Sequence, residues 1–155
     1  MKQTENNQRA TLNQGYWTRS TEGLRWFSVP PMSELMTRVF QGETVFTATE
    51  LYQLTMAFRT NIINTQDAYL QHQAGLVDTI TLDYAMQTTK VWLGYPLFRA
   101  LWVRSARSLS AEFAAVIDAM IAETPLTEPV DLVARFQGDL ATVRARTSAN
   151  SGATP

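Results

Sequence analysis

The segment from Thr47 to Ala74 constrains the fold most, because it contains neither glycine nor proline. It opens with Thr47-Ala48-Thr49-Glu50, a capping-box sequence in which the threonine hydroxyl and the glutamate carboxylate satisfy opposed backbone donors. A stripe of mostly apolar residues then recurs at helical spacing. The stripe consists of Leu51, Leu54, Phe58, Ile62, Thr65 and Tyr69. The pattern predicts one helix of about 25 residues, about 38 Å long at about 1.5 Å per residue.

Shorter helices are predicted on both sides of this segment from their start and stop signals. Pro96 and Pro129 suit the first turn of a helix, where a missing backbone N–H is no loss. Asp78 and Ser110 suit the capping position, where a side-chain oxygen accepts a backbone hydrogen bond. The predicted helices run over about 9–27 and 31–41, from Asp78 to Gly94, from Pro96 past Trp102, from Ser110 to Pro125, and from Pro129 to about Arg146.

The sequence therefore predicts an all-α fold, since no stretch alternates between apolar and polar residues as a half-buried strand would. We expect a single bundle of about six or seven helices with one long central helix. Residues 1–125 are predicted to form the bundle domain and residues 126–146 a C-terminal amphipathic helix. Residues 147–155 are small and polar, and we expect them to form a disordered tail.

The composition excludes several functional classes. The chain has no cysteine, which removes disulfides, thiol nucleophiles and thiolate metal sites. Its formal net charge of −1 provides no basic field for nucleic acid. Its longest apolar stretch, from Val91 to Val103, is too short to cross a bilayer. Charged residues make up only 17% of the chain, against about 25% in a typical domain, which suggests that a partner covers part of the surface.

No group of residues indicates catalysis. His72 is the single histidine, and no second ligand stands at metal-binding spacing from it. Asp67 lies in an otherwise uncharged stretch beside the apolar stripe, so we expect it to pair with an arginine from another helix. The sequence thus predicts no catalytic, cofactor-binding or metal-binding residue, and we expect the protein not to be an enzyme.

A series of short motifs lies between Phe58 and Ala122. In order they are Asp67-Ala68-Tyr69, Gln71, Gly75-Leu76-Val77-Asp78, Phe98-Arg99-Ala100-Leu101-Trp102, Ser110-Ala111-Glu112-Phe113 and Val116-Ile117-Asp118. This series resembles a group of uncharacterised bacterial proteins, in which a helical domain commonly follows an N-terminal membrane helix. The resemblance implies a helical domain and no particular activity, and the membrane helix has no counterpart in this sequence. It also makes Arg99, on the tryptophan-containing helix, the expected partner of Asp67.

Basic and aromatic residues are interleaved near the predicted fifth helix. Arg99, Arg104 and Arg107 stand close to Trp102 in the sequence. This pattern fits a surface that binds a nucleic-acid strand, a face that lies on a membrane, or a core of aromatics with solvated arginines. We favour the third interpretation, expect no nucleic-acid partner, and leave peripheral membrane contact open.

The last predicted helix carries a narrow apolar seam with spacings of three, four and three residues, typical of coiled-coil-like contacts. Its members are Val133, Phe136, Leu140 and Val143. The seam has two possible targets, the bundle itself or a partner. Since the resembling motifs end before Pro125, we favour a protein partner or a second copy of the chain. The favoured function is therefore a non-catalytic interaction or accessory-subunit module, located in the cytoplasm or at a membrane surface.

The alternative is a helical bundle that binds a small molecule or a lipid between its helices. Aromatic residues would then line a pocket, the candidates being Tyr69, Tyr84, Trp92 and Trp102. An apolar cavity of a few hundred Å³ with convergent polar groups would favour this alternative.

Overall fold

Seven α-helices and one short 3-10 segment make up the described part of the fold. The computed structural model describes the backbone of residues 2–151 and the side chains of residue 4 and residues 6–148. The elements are α1 (Lys2–Phe27), α2 (Met32–Phe40), α3 (Ala48–Gln73), α4 (Thr79–Leu93), α5 (Pro96–Ser105), the 3-10 segment Ala106–Ser108, α6 (Ala111–Glu123) and α7 (Leu132–Ser151). The described residues contain no strand, which confirms the predicted all-α class.

α3 is the long helix that the capping box predicts. The Thr47 hydroxyl accepts from the backbone N–H of Glu50 at 3.3 Å, and the Glu50 carboxylate accepts from the backbone N–H of Thr47 at 2.7 Å. Arg38 of α2 donates to the same carboxylate. The backbone hydrogen bond from Thr47, followed by the Arg38 guanidinium, lowers the pKa of Glu50. The start of α3 is therefore fixed both to its own first turn and to α2.

The core forms where α3 meets α4, α5 and α6. Phe58 of α3, Phe98 of α5 and Phe113 of α6 are fully buried. Phe58 stacks on Phe98 with ring centroids 5.5 Å apart, and Trp92 of α4 lies 4.7 Å from Phe98. The apolar face of α2 packs against the same cluster. Burial of this aromatic group holds the helices together, because the hydrophobic effect scales with the apolar area removed from water.

The helix boundaries confirm three local signals and correct the predictions at both ends of the chain. Asp78 and Ser110 cap α4 and α6 through their side chains, and Pro96 is the first residue of α5. α1 begins at Lys2 rather than near Arg9. The last helix, α7, begins at Leu132 rather than at Pro129, which lies in the preceding linker. α7 continues to Ser151, so the disorder predicted from Thr147 is wrong for 147–151, and 152–155 lie outside the described residues.

The cap of α4 makes a testable contribution to the pH dependence of stability. The Asp78 carboxylate accepts a hydrogen bond from the backbone N–H of Thr81 at 2.7 Å, and this bond lowers the pKa of Asp78. A lowered pKa in the folded state contributes stability above the unfolded pKa, and that contribution is lost as the pH falls through the folded pKa. We expect Asp78→Asn to lower the free energy of unfolding at about pH 7 and to change it much less at about pH 2.

Urea unfolding at the two pH values measures this difference. Asp83→Asn, at an exposed position of the same helix, is the control that removes an equal charge without touching the cap. Equal effects of Asp78→Asn at both pH values would contradict the assigned role of the carboxylate.

Candidate ligand-binding cavity

α1 crosses α3 and α4 with large side chains near two contact points and small ones between them. Its inner face carries Tyr16, Ser20, Gly23 and Phe27, at spacings of four, three and four residues. Tyr16 meets Tyr84 of α4 edge-on at 6.5 Å, and Phe27 meets Trp92 edge-on at 5.2 Å. A Cβ atom at Gly23 would meet no atom within 4 Å. The aromatic residues thus hold α1 away from α3 and α4, and the small residues leave the space unfilled.

The resulting cavity has a volume of about 550 Å³ and lies between α1, α3 and α4. Cavities of about 300–1,000 Å³ accommodate drug-sized molecules. Its apolar walls include Leu24 of α1, Met56 and Ala57 of α3, and Trp92 of α4. The cavity therefore meets the size and the apolar character that the sequence analysis set as the criterion for ligand binding.

A buried hydrogen-bond network lies beside the cavity between α3 and α4. Asn61 Nδ2 donates to Thr89 Oγ1 at 3.0 Å, and the hydroxyls of Thr65 and Thr89 are 2.8 Å apart. The Thr65 hydroxyl also lies within hydrogen-bond distance of the backbone carbonyl of Asn61, at 2.9 Å. Either hydroxyl of the threonine pair can donate to the other. The Asn61 amide nitrogen is held towards Thr89 by its hydrogen bond to that hydroxyl.

The Asn61 amide keeps hydrogen-bonding capacity for another molecule. Its Oδ1 and its second amide hydrogen make no bond to any described residue. Asn64, one helical turn further along α3, also lines the cavity and forms no hydrogen bond within the described residues. The apolar cavity thus contains carboxamide donors and acceptors on one wall.

Tyr16 adds a further donor near the α1 side of the cavity. Burial raises the pKa of its phenol, while the nearby Ser20 hydroxyl and the Arg19 guanidinium act in the opposite direction. The phenol is therefore protonated at neutral pH and can donate a hydrogen bond. Its neutrality also suits a site for uncharged molecules.

The predicted ion pair between Asp67 and Arg99 is wrong, because each residue has other partners. Asp67 accepts from Arg19 of α1 at 3.0 Å and from Gln71 at 2.7 Å. Arg99 instead donates to the backbone carbonyls of Leu93 and Thr124. Asp67 lies on the face of α3 that meets α1, whereas Arg99 joins the ends of α4 and α6. Arg19 also lines the cavity, so this ion pair ties α1 to α3 at its edge.

We expect the Arg19–Asp67 pair to contribute little to stability. The two side chains are 45% and 43% exposed, and exposed pairs typically contribute about 0.2–1 kcal/mol because water and salt screen them. A double-mutant cycle with Arg19→Met and Asp67→Asn, measured by urea unfolding, should give a coupling below about 1 kcal/mol. A coupling of several kcal/mol would show that the pair is buried in solution.

The other predicted residues lie in different parts of the molecule. Tyr84 and Trp92 line the cavity as the ligand-binding alternative requires. Tyr69 instead donates to Glu112 of α6 at 3.0 Å, and Trp102 Nε1 donates to Asp118 at 2.7 Å. His72 Nδ1 lies 3.0 Å from the backbone carbonyl of Val77, an ordinary helix-end contact.

The predicted interaction seam lies on α7, outside the cavity. Val133, Phe136 and Val143 are 71%, 61% and 59% exposed, and Leu140 is half-buried. The seam does not pack into the bundle core. The structure therefore keeps the seam and the cavity as two separate candidate sites.

Ser20, Gly23 and Asn61 line the cavity and were not predicted from the sequence. Gly23 contributes to the cavity volume because it has no side chain and a Cβ atom there would meet no other atom within 4 Å. The signal that could have revealed the cavity was the inner face of α1, where two small residues stand between two aromatic ones.

Comparison of the chain with known protein families, with curated proteins and with solved structures found no match. The resemblance to uncharacterised bacterial helical proteins therefore stays a prediction. Among the described helices, none is both long enough and apolar enough to cross a membrane. No cluster of histidine, aspartate and glutamate suited to a metal ion occurs among the described residues.

Proposed function

We propose that this protein binds a neutral small molecule in the cavity between α1, α3 and α4. The observation that carries the proposal is an apolar cavity of about 550 Å³ lined by a carboxamide that hydrogen-bonds to a buried threonine. An apolar ligand body would pack against Leu24, Met56 and Trp92. One donor or acceptor on that ligand would pair with Asn61, since an unpaired polar group in such a site costs binding energy.

The charges at the edge of the cavity favour an uncharged ligand over an ionic one. Arg19 is neutralised by Asp67, and Glu22 adds a negative charge among the lining residues. Among the described lining residues, Arg19 is the one cation, and Asp67 already pairs with it. The class of ligand we propose is an uncharged aromatic or aliphatic molecule with an amide, arylamine, hydroxyl or carbonyl group.

Filling the cavity should weaken binding without destabilising the fold. Gly23→Leu places a side chain in empty space and replaces a poor helix former with a good one, so the free energy of unfolding should stay equal or rise by up to about 1 kcal/mol. The affinity for N-phenylnaphthylamine, a neutral fluorescent probe with one N–H donor, should fall at least about tenfold, or about 1.4 kcal/mol. Probe fluorescence and energy transfer from tryptophan measure the binding.

Gly15→Leu is the matched control for this experiment. It makes the same change in the same helix, outside the cavity lining, where the nearest atom to a new Cβ belongs to the flexible Arg19 side chain at 3.7 Å. This variant should bind the probe like the unchanged protein. Equal affinity of the Gly23→Leu variant and the unchanged protein, or failure of the latter to bind neutral apolar probes, would overturn the proposed function.

The protein-interaction function remains a second proposal, and the exposed seam on α7 supports it. A protein or a second copy could cover that seam without blocking the cavity, because α7 contributes no residue to the cavity lining. We propose the cytoplasm as the location for both functions, with peripheral membrane contact as a further proposal.

A further inference from the structure

α7 leaves the bundle with its apolar face uncovered. The preceding linker is tied to the bundle by two backbone hydrogen bonds of 2.8 Å, from Thr127 N–H to the carbonyl of Gly94 and from Val130 N–H to that of Phe40. Beyond this linker, the first described turns of α7 are exposed on every side. An isolated helix of 20 residues is only marginally stable in water. Something must therefore cover its apolar face if the helix is to be firmly formed.

The spacing of the seam residues is the same in both directions along the helix. Its spacings of three, four and three residues place Val133 opposite Val143, and Phe136 opposite Leu140, when a second α7 runs antiparallel to the first. At about 100° per residue, these four side chains lie on one stripe of the helix. A two-fold axis between the helices then makes the contact closed and self-complementary.

Charged residues of both signs lie on one flank of the seam. They are Arg135, Asp139 and Arg146, whereas Arg144 lies on the opposite flank. An antiparallel two-fold pair brings the same flank of both helices together, so Arg135 of each copy meets Asp139 of the other. An in-register parallel pair would instead place this flank against the opposite one, which carries Arg144.

We infer that α7 docks onto α7 of a second copy of this chain, as an antiparallel two-fold helix pair. The seam supplies the apolar contact, and the flank charges set the direction. The exposed seam alone could pack against any apolar helix. The positions of the charges beside it favour a second α7 in the antiparallel direction. Each copy contributes only four seam residues, so the interface is a small one that buries about 1,000 Å² of surface in total. The dimer forms at micromolar or higher concentration and leaves the cavity open.

Sedimentation equilibrium of the full chain over about 1–500 µM tests the dimer. Val133→Asp should weaken it at least about tenfold, or about 1.4 kcal/mol. Val103→Asp is the matched control, because Val103 is 72% exposed on α5 and Val133 is 71% exposed on α7. A chain that stays monomeric throughout this range, or a control as disruptive as Val133→Asp, would refute the pairing. Circular dichroism of both variants confirms that the bundle remains folded.

The direction of the pair is tested separately. The chain has no cysteine, so Ser148→Cys gives one site for a spin label near the end of α7. In the antiparallel pair the two labels are about 30 Å apart along the helix axis, since about 20 residues at about 1.5 Å each separate their levels. In a parallel pair they stand at the same level, about 10–15 Å apart. A measured separation in the shorter range would overturn the antiparallel arrangement.

The charges provide the last test of the register. Asp139→Arg should weaken the dimer, because it places an arginine against the partner's Arg135. Combining it with Arg135→Asp exchanges the two charges and should restore the affinity. A combined variant as weak as Asp139→Arg alone would show that these residues do not face each other.

Discussion

Phe58→Ala is expected to lower the free energy of unfolding by about 3–5 kcal/mol, because it removes a buried aromatic ring and leaves a void. The Phe58 side chain is fully buried at the centre of the core. Its ring stacks on Phe98 at 5.5 Å and on Trp92 at 6.3 Å. Removal of the ring therefore removes contacts of α3 with both α4 and α5. The surrounding rings are closely packed and cannot all move into the void.

Urea unfolding followed by tryptophan fluorescence measures this loss. Tyr52→Ala is the control, since Tyr52 is an exposed aromatic residue of the same helix and its removal should change stability by less than about 0.5 kcal/mol. A loss below about 1 kcal/mol for Phe58→Ala would mean that this face of α3 does not meet the core.

Arg99→Met is expected to lower the free energy of unfolding by about 2–3 kcal/mol, through hydrogen bonds rather than an ion pair. Arg99 Nε donates to the carbonyl of Leu93 at 2.7 Å, and Nη2 donates to the carbonyl of Thr124. Both carbonyls lie at helix ends, where the helix offers no partner of its own. Hydrogen bonds from a charged donor contribute about 1.5–3 kcal/mol, and methionine leaves both acceptors without this partner.

Two comparisons establish the cause of the Arg99→Met effect. Arg104→Met removes an equal charge from an exposed position of the same helix and should be nearly neutral. The effect of Arg99→Met should also be unchanged in an Asp67→Asn background, because Asp67 pairs with Arg19. If the Asp67→Asn background removed most of the stability loss caused by Arg99→Met, Asp67 and Arg99 would form an ion pair in solution.

The parts of the fold that local chemistry determines were predictable from the sequence. Thr47, Asp78 and Ser110 cap their helices because a side-chain oxygen reaches a backbone N–H three residues ahead, whatever the rest of the chain does. Pro96 similarly begins α5. The start of α1 was not predictable in this way, because residues 2–8 are polar and carry no apolar periodicity.

The partner of Asp67 depends on which helix lies beside it, and that is a property of packing. Sequence spacing places Asp67 beside the apolar stripe of α3, but it does not say whether α1 or α5 faces that side. The cavity is harder still to predict, because it arises where side-chain volume is missing. Ser20 and Gly23 have a role only once Tyr16 and Phe27 are seen to hold α1 away from α3 and α4.

The separation between the cavity and the core has an evolutionary consequence. Among the described residues, the cavity lining shares only Ala57, Phe27 and Trp92 with the main core cluster and the side chains packed on it. Substitutions at Ser20 or Gly23 therefore change the volume of the cavity while leaving the Phe58 cluster intact. Most substitutions are limited by the small stability of the fold, because they lower it. Substitutions at Ser20 and Gly23 are expected to change the stability little. A lineage of such chains can change the size of this cavity at two codons of α1 and keep one scaffold.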